Sequence, residues 1–281
     1  MRLLVGVDGR EGGHDALELA RVLASESSGS VVAVTVLYGG PLPMEYALLK
    51  DEEEREAEPI FEAAREKVGD FGMETRAFGG GSPAGILTKL AEEEKFDAIV
   101  VGSPHRGAIG RVLIGSVGSS LPNGAPCNVF VAPMGYSDEQ HDSLRTIAVA
   151  YDGTPEAKAA LRQAEELALR SNSTIKVMTV VSHPAVVAVA GAGGGYVPQI
   201  PSEPDKVINE AVNSIDTQLG AEGQRLDGSP AEEIADACEQ GIDLLVTGSR
   251  GYGPMTRVLL GSVSKKLINE APCPVLVVPR P

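Results

Sequence analysis

The sequence predicts an α/β protein of two tandem domains, each an open five-stranded parallel sheet with helices on both faces. Three observations predict it. First, the chain repeats itself: LLVGVDGREGGHDALELA (3–20) returns as IAVAYDGTPEAKAALRQA (147–164), and GGSPAGIL (80–87) as DGSPAEEI (227–234). AIVVGSPHRGAIGRVLIGSV (98–117) returns as LLVTGSRGYGPMTRVLLGSV (244–263), and GAPCNVFVAP (124–133) as EAPCPVLVVP (270–279). Asp8 and Asp152 are 144 residues apart, Ser82 and Ser229 147, and Cys127 and Cys273 146, so insertions are few and the unit is a duplicated domain of ordinary size. Second, β-branched runs alternate with segments of helical periodicity, which implies parallel strands joined by right-handed crossovers. Third, those runs lack polar alternation, as strands do when helices cover both sheet faces.

The elements follow in order. Strands are expected near Arg2–Val7, Val31–Leu37, Glu74–Phe78, Ala98–Gly102 and Asn128–Ala132, and again near Thr146–Tyr151, Thr174–Val181, Gly223–Leu226, Leu244–Gly248 and Pro274–Val278. Helical spacing joins Ala16, Leu19, Ala20 and Leu23, and later Val207, Ile208, Ala211, Val212, Ile215 and Leu219. Thr154-Pro155, Ser82-Pro83 and Ser229-Pro230 each put a capping residue before a proline at the first helical position, and Glu232 completes a capping box with Ser229. The stretch DEEEREAE (51–58) reads as a solvated helix face that Pro59 kinks or resets. Residues 183–204 are rich in glycine and proline, and read either as a plain loop or as a lid over a site. Polar Met134 to Arg145 is the expected linker, between domains at 1–137 and 144–281.

Composition narrows the function. The net charge of −15 argues against nucleic-acid or anionic-membrane partners, whose affinity is mostly phosphate neutralisation by Lys and Arg. The longest apolar runs fall short of the ~20 residues that span a bilayer, and Asp8 and Arg10 interrupt any signal-peptide core at Met1. Three cysteines with no CxxC fit a reducing compartment, so the cytoplasm is expected.

Both repeats carry an anion cradle. An aliphatic run ends in Gly102 or Gly248, and a loop leads to Gly115-Ser116 or Gly261-Ser262, opening a new helix. Free N–H groups at such a helix start bind phosphate. No Asp or Glu occurs between Asp97 and Asp138, where Arg106 and Arg111 stand, or from Leu244 to Asn269, where Arg250, Arg257, Lys265 and Lys266 stand. An acidic chain has cleared its negative charge from both motifs. The glycines either admit phosphate or permit tight strand–helix packing. Asp8 and Asp152, just past strand one, either cap a helix or accept hydrogen bonds from a nucleoside, at the end away from phosphate.

Several chemistries lack their parts. GxxxxGK[ST] and GxSxG are absent, and His14, His105, His141 and His183 are scattered without zinc-ligand or triad spacing. No carboxylate pair poised for acid–base work is evident.

At these residues the chain resembles the universal stress proteins in their tandem form. The pattern is G-x2-G-x9-G-[S/T]: Gly248, Gly251, Gly261 and Ser262 match every position, whereas Gly102, Gly115 and Ser116 match around His105, which stands where the middle glycine belongs. The resemblance implies two Rossmann-like domains of the adenine nucleotide alpha hydrolase-like type with strand order 3-2-1-4-5, and a site at the switch point between strands one and four. It implies ATP as ligand, with ADP, AMP or cyclic AMP as alternatives and Mg or Mn carried on the phosphates. Carried over residue by residue, one site comprises Asp8, Val36, Gly102, His105, Arg106, Gly107, Gly115, Ser116 and Val117. The other comprises Asp152, Val180, Gly248, Arg250, Gly251, Gly253, Gly261, Ser262 and Val263. The final strands of the two repeats are expected to pair as an intramolecular pseudo-dimer, with a homodimer as a further level. The function implied is a nucleotide-binding stress-response or regulatory protein with little or no hydrolysis; a slow hydrolase or transferase, or an interaction module without nucleotide, are the alternatives.

Overall fold

The computed structural model describes residues 1–37, 50–103, 121, 125–182, 203–249 and 261–279, side chains of residues 50–52 excepted. The first repeat forms β1 (Arg2–Gly6), α1 (Glu11–Ser27), β2 (Ser30–Leu37), α2 (Lys50–Val68), β3 (Glu74–Gly79), α3 (Pro83–Glu94), β4 (Ala98–Gly102) and β5 (Asn128–Ala132). The second forms β6 (Thr146–Ala150), α4 (Pro155–Ser171), β7 (Thr174–Val181), α5 (Pro204–Ser214), β8 (Ala221–Asp227), α6 (Pro230–Cys238), β9 (Leu244–Gly248), α7 (Ser262–Glu270) and β10 (Val275–Val278). Of the expected loop at 183–204, residues 183–202 lie outside the described residues, and Pro204 already opens α5.

The ten strands among the described residues form one sheet in the order β3-β2-β1-β4-β5-β10-β9-β6-β7-β8. Each repeat therefore has the order 3-2-1-4-5, and the two join at their last strands. Every pairing is parallel except β5 with β10, where Val131, Phe130 and Val129 oppose Val275, Leu276 and Val277. An apolar edge strand is a template for pairing, and here each repeat covers the edge of the other.

The continuous apolar runs are explained by two cores. Leu3 and Val5 point to one face with Val100, Phe130, Val246 and Leu276, under α1, α2, α4 and α5. Leu4 points to the other with Ile99, Val129, Leu245 and Val277, under α3, α6 and α7. Both clusters contain residues of both repeats, so the cores run through the β5–β10 seam. Burying each such side chain contributes roughly 1.5–3 kcal/mol.

The helix starts differ in detail from expectation. Ser82 accepts from Gly85 N at 3.1 Å and Thr154 from Ala157 N at 3.2 Å, as side-chain caps. Ser229 sits before Pro230 but makes no side-chain cap hydrogen bond, so the expected capping box is not formed. Glu232 turns instead to Lys266. Helix α2 continues through Pro59. Helix α5 stops at Ser214, because Ile215 is extended at φ −74°, ψ 145°; Leu219 is beyond the helix yet packs on the same core.

The linker is docked rather than merely polar. The fully buried Asp15 carboxylate on α1 accepts from Gly135 N at 3.0 Å, and from Ser137 N and Oγ at 2.8 Å each. Glu18, one turn on, accepts Arg21 through two nitrogens at 2.9 and 2.7 Å, and Arg21 also donates to the His141 carbonyl. The His141 ring stacks on Tyr136 at 3.8 Å. Burial pushes the Tyr136 hydroxyl well up, and the Glu18 charge adds to it.

Candidate functional site

The chain passes from β6 to β7 and β8 on one side, then returns to β9 on the other, so β6 and β9 flank a switch point. Open α/β sheets leave a crevice there, beyond the strand C-termini. A cavity of about 380 Å³ occupies it in the second repeat. It is lined by the apolar Ala150, Met178, Val180 and Ile234 and by the polar Asp152, Thr154, Glu156 and Ser229. Gly261, Ser262 and Val263 at the start of α7 complete it, with Thr247 and Gly248 at the end of β9.

The turn after β6 is built by its own sequence. Gly153 has φ +80°, a region that favours glycine, and Thr154 donates to Asp152 Oδ1 from N at 3.1 Å and from Oγ1 at 2.6 Å. The same turn follows β1, where Gly9 has φ +72° and Arg10 N donates to Asp8 Oδ1 at 3.1 Å. Neither aspartate caps its helix. Thr154 caps α4, and α1 starts after Arg10 with no side-chain cap. Both aspartates remain exposed on the turn, Asp152 lining the cavity.

Gly102 and Gly248 have a packing role. A Cβ on Gly102 would collide with the Gly12 carbonyl, and one on Gly248 would stand 2.7 Å from the Glu156 carbonyl oxygen. The first turns of α1 and α4 thus rest directly on the ends of β4 and β9. Gly248 also lines the cavity.

Helix α7 is anchored where it meets β9. Ser264 Oγ donates to the Gly248 carbonyl at 3.0 Å and lies 3.2 Å from Thr247 Oγ1, with both hydroxyl side chains buried. The N-cap Gly261 has no side chain, so no side-chain cap occupies the helix N-terminus, which opens into the cavity. Sequence reasoning missed Thr247 and Ser264. The repeat hides them, because Val101 and Gly118 occupy the equivalent positions.

The structure thus brings Asp152, Val180, Gly248, Gly261, Ser262 and Val263 around one cavity. Asp8, Val36 and Gly102 take the equivalent places at the ends of β1, β2 and β4. His105, Arg106, Gly107, Gly115, Ser116 and Val117, and Arg250, Gly251 and Gly253, lie outside the described residues. Burial pushes the Tyr151 hydroxyl up beside the cavity, with Asp152 adding to the shift.

The model of the universal stress protein family matches residues 1–133 and 143–279. The chain belongs to the universal stress protein family. A universal stress protein of Mycobacterium tuberculosis is 28% identical over 304 aligned positions, covering 99% of this chain and 100% of that one. A shorter universal stress protein of Bacillus subtilis is 32% identical over 141 residues, covering 46% of this chain and 95% of its own length. The crystal structure of a universal stress protein from Archaeoglobus fulgidus superposes with a TM-score of 0.71 at 20% identity, covering 100% of this chain and 98% of that one. The tandem universal stress protein arrangement, with a Rossmann-like fold, therefore spans the two matched segments. Among the described residues, no helix is long and apolar enough to cross a membrane.

Proposed function

We propose that this universal stress protein binds an adenine nucleotide, ATP first, at one site per domain, as a regulatory ligand with little or no hydrolysis. The observation that supports it is the lining of the second-domain cavity, which combines the Asp152 carboxylate, a helix N-terminus whose N-cap Gly261 makes no side-chain cap, and apolar side chains. Asp152 would accept from the ribose hydroxyls, and Met178, Val180 and Ile234 would flank the base. The amides at Ser262 and Val263 would donate to phosphate, which the α7 dipole also favours. Asp8 and Val36 would serve the first domain. A divalent ion, Mg or Mn, would add only charge neutralisation on the phosphates, and the protein residues named here hold the nucleoside and the inner phosphates without it. Binding would occur in the cytoplasm, with homodimer formation as a separate level that light scattering measures.

Ligand released from freshly purified, heat-denatured protein and weighed by mass spectrometry tests the reading. ATP, ADP, AMP or cyclic AMP at up to two equivalents per chain is expected. Calorimetric titration that detects none of the four sinks it. Phosphate release over many turnovers that tracks purified protein would place the chain among the hydrolases instead.

A further inference from the structure

The second-domain cavity holds a cation that the glycine motif does not account for. Lys266 lines it, one helical turn after Ser262 on α7. Residues four apart share a helix face, and helical side chains lean back toward the N-terminus, so this ammonium can reach over the end where phosphate would sit. It now lies 3.7 Å from Glu232 Oε1, on the first turn of α6, with the two side chains 53% and 63% exposed. A pair so exposed is held weakly and can exchange partners. Glu232 meanwhile leaves Ser229 without its capping-box partner. The pair belongs to one repeat alone, because Ser120 and Gly85 stand at the equivalent positions of the first.

We propose that Lys266 is a specificity-determining residue of the second cavity, leaving Glu232 for the outer phosphates of a nucleoside polyphosphate. This rests on the adenine-nucleotide reading and adds to it a selection by phosphate number. A lysine ammonium is a compact charge suited to phosphate oxygens. Glu232 sets the threshold: it holds the lysine when no polyphosphate is present, and its charge opposes ligands whose phosphates do not reach the lysine. The first domain, lacking both residues, discriminates less.

The test is calorimetric titration of the full chain with ATP and with adenosine, the second site being identified as the one lost in Gly261→Val. In Lys266→Ala, ATP affinity at that site should fall roughly tenfold, the low end for a charged hydrogen bond, while adenosine affinity changes less than twofold. Lys266→Arg should restore most of the ATP preference, and Glu232→Gln should strengthen ATP binding severalfold. Equal losses for ATP and adenosine in Lys266→Ala, or no loss for either, would overturn the assignment. So would weaker ATP binding in Glu232→Gln, which would make the pair a brace between α6 and α7. Wild-type protein that binds neither ligand would overturn the adenine-nucleotide reading itself.

Discussion

Leu276 of β10 faces Phe130 of β5 across the one antiparallel pairing among the described strands, and both side chains are buried. Val277, next to Leu276, opposes Val129 and is 2% exposed. In Val277→Lys an ammonium would enter the core that both repeats share. The cost should be about 3–5 kcal/mol, the range for an uncompensated buried charge, and the melting temperature should drop by about 10 °C. Calorimetry checks it, and an unchanged melting profile would mean that the seam does not hold the repeats together.

The glycines of one motif should separate into two kinds. Gly248→Ala brings a Cβ against the Glu156 carbonyl and should destabilise the fold by about 1–3 kcal/mol. Gly261→Val, and Gly251→Val, should leave the fold intact and remove most nucleotide affinity from the second site. Parallel melting and titration of the variants decide it; undiminished ATP binding in Gly261→Val would count against the cradle.

The linker should loosen without Asp15. Its carboxylate receives two backbone N–H groups and a hydroxyl. Asp15→Ala leaves them unpaired, at about 2–4 kcal/mol. Amide hydrogen exchange at Gly135 and Ser137 should accelerate well beyond that of β1. Unchanged protection at those two amides would show that the clamp is not what orders the linker.

Alkaline pH should weaken the fold through Cys127. Burial pushes its thiol up to about 12, while an unfolded cysteine titrates near ~8.5. Above that value the unfolded chain binds fewer protons than the folded one, so stability falls as pH rises through the window up to about 12. Cys127→Ala should flatten the decline between about pH 8.5 and 10, before tyrosines titrate. Urea melts across that range would show a parallel slope in both proteins if the thiol played no part.

His105 should give the first site a pH dependence that the second lacks. An imidazole in place of the middle glycine would obstruct close approach of a phosphate, yet when protonated it would donate to one. First-site affinity should therefore rise as pH falls from about 7.5 to 6. Titration of wild type, His105→Gly and Gly251→Val at both pH values checks it. A dependence that survives in His105→Gly removes the histidine from the mechanism, and a wild-type stoichiometry of one, lost in Gly251→Val, makes the first site vestigial.

Most strands were legible as apolar runs that needed two covered faces, with duplication marking each run twice, whereas the edge strands β3 and β8 are polar and half-exposed. The pairing of Asn128–Ala132 with Val275–Val278 was implied by the family resemblance, and the apolar edges of both strands give its physical reason. What the sequence concealed is side-chain choice. Glu232 could serve Ser229 or Lys266 with equal local logic, and only the approach of α7 to α6 selects the lysine. Asp15 and Glu18 look like an ordinary solvated helix face until the linker folds over them. Thr247 and Ser264 were invisible to repeat comparison because their bond exists in one copy only.

The antiparallel seam also sets what a partner can see. Parallel strands direct their C-terminal ends to one edge of a sheet, and reversing the second repeat sends its own ends to the opposite edge. The strand C-termini at β1/β4 and at β6/β9 therefore face away from each other. A partner that covers the strand ends of one repeat leaves those of the other uncovered, and the two sets of ends are separate surfaces.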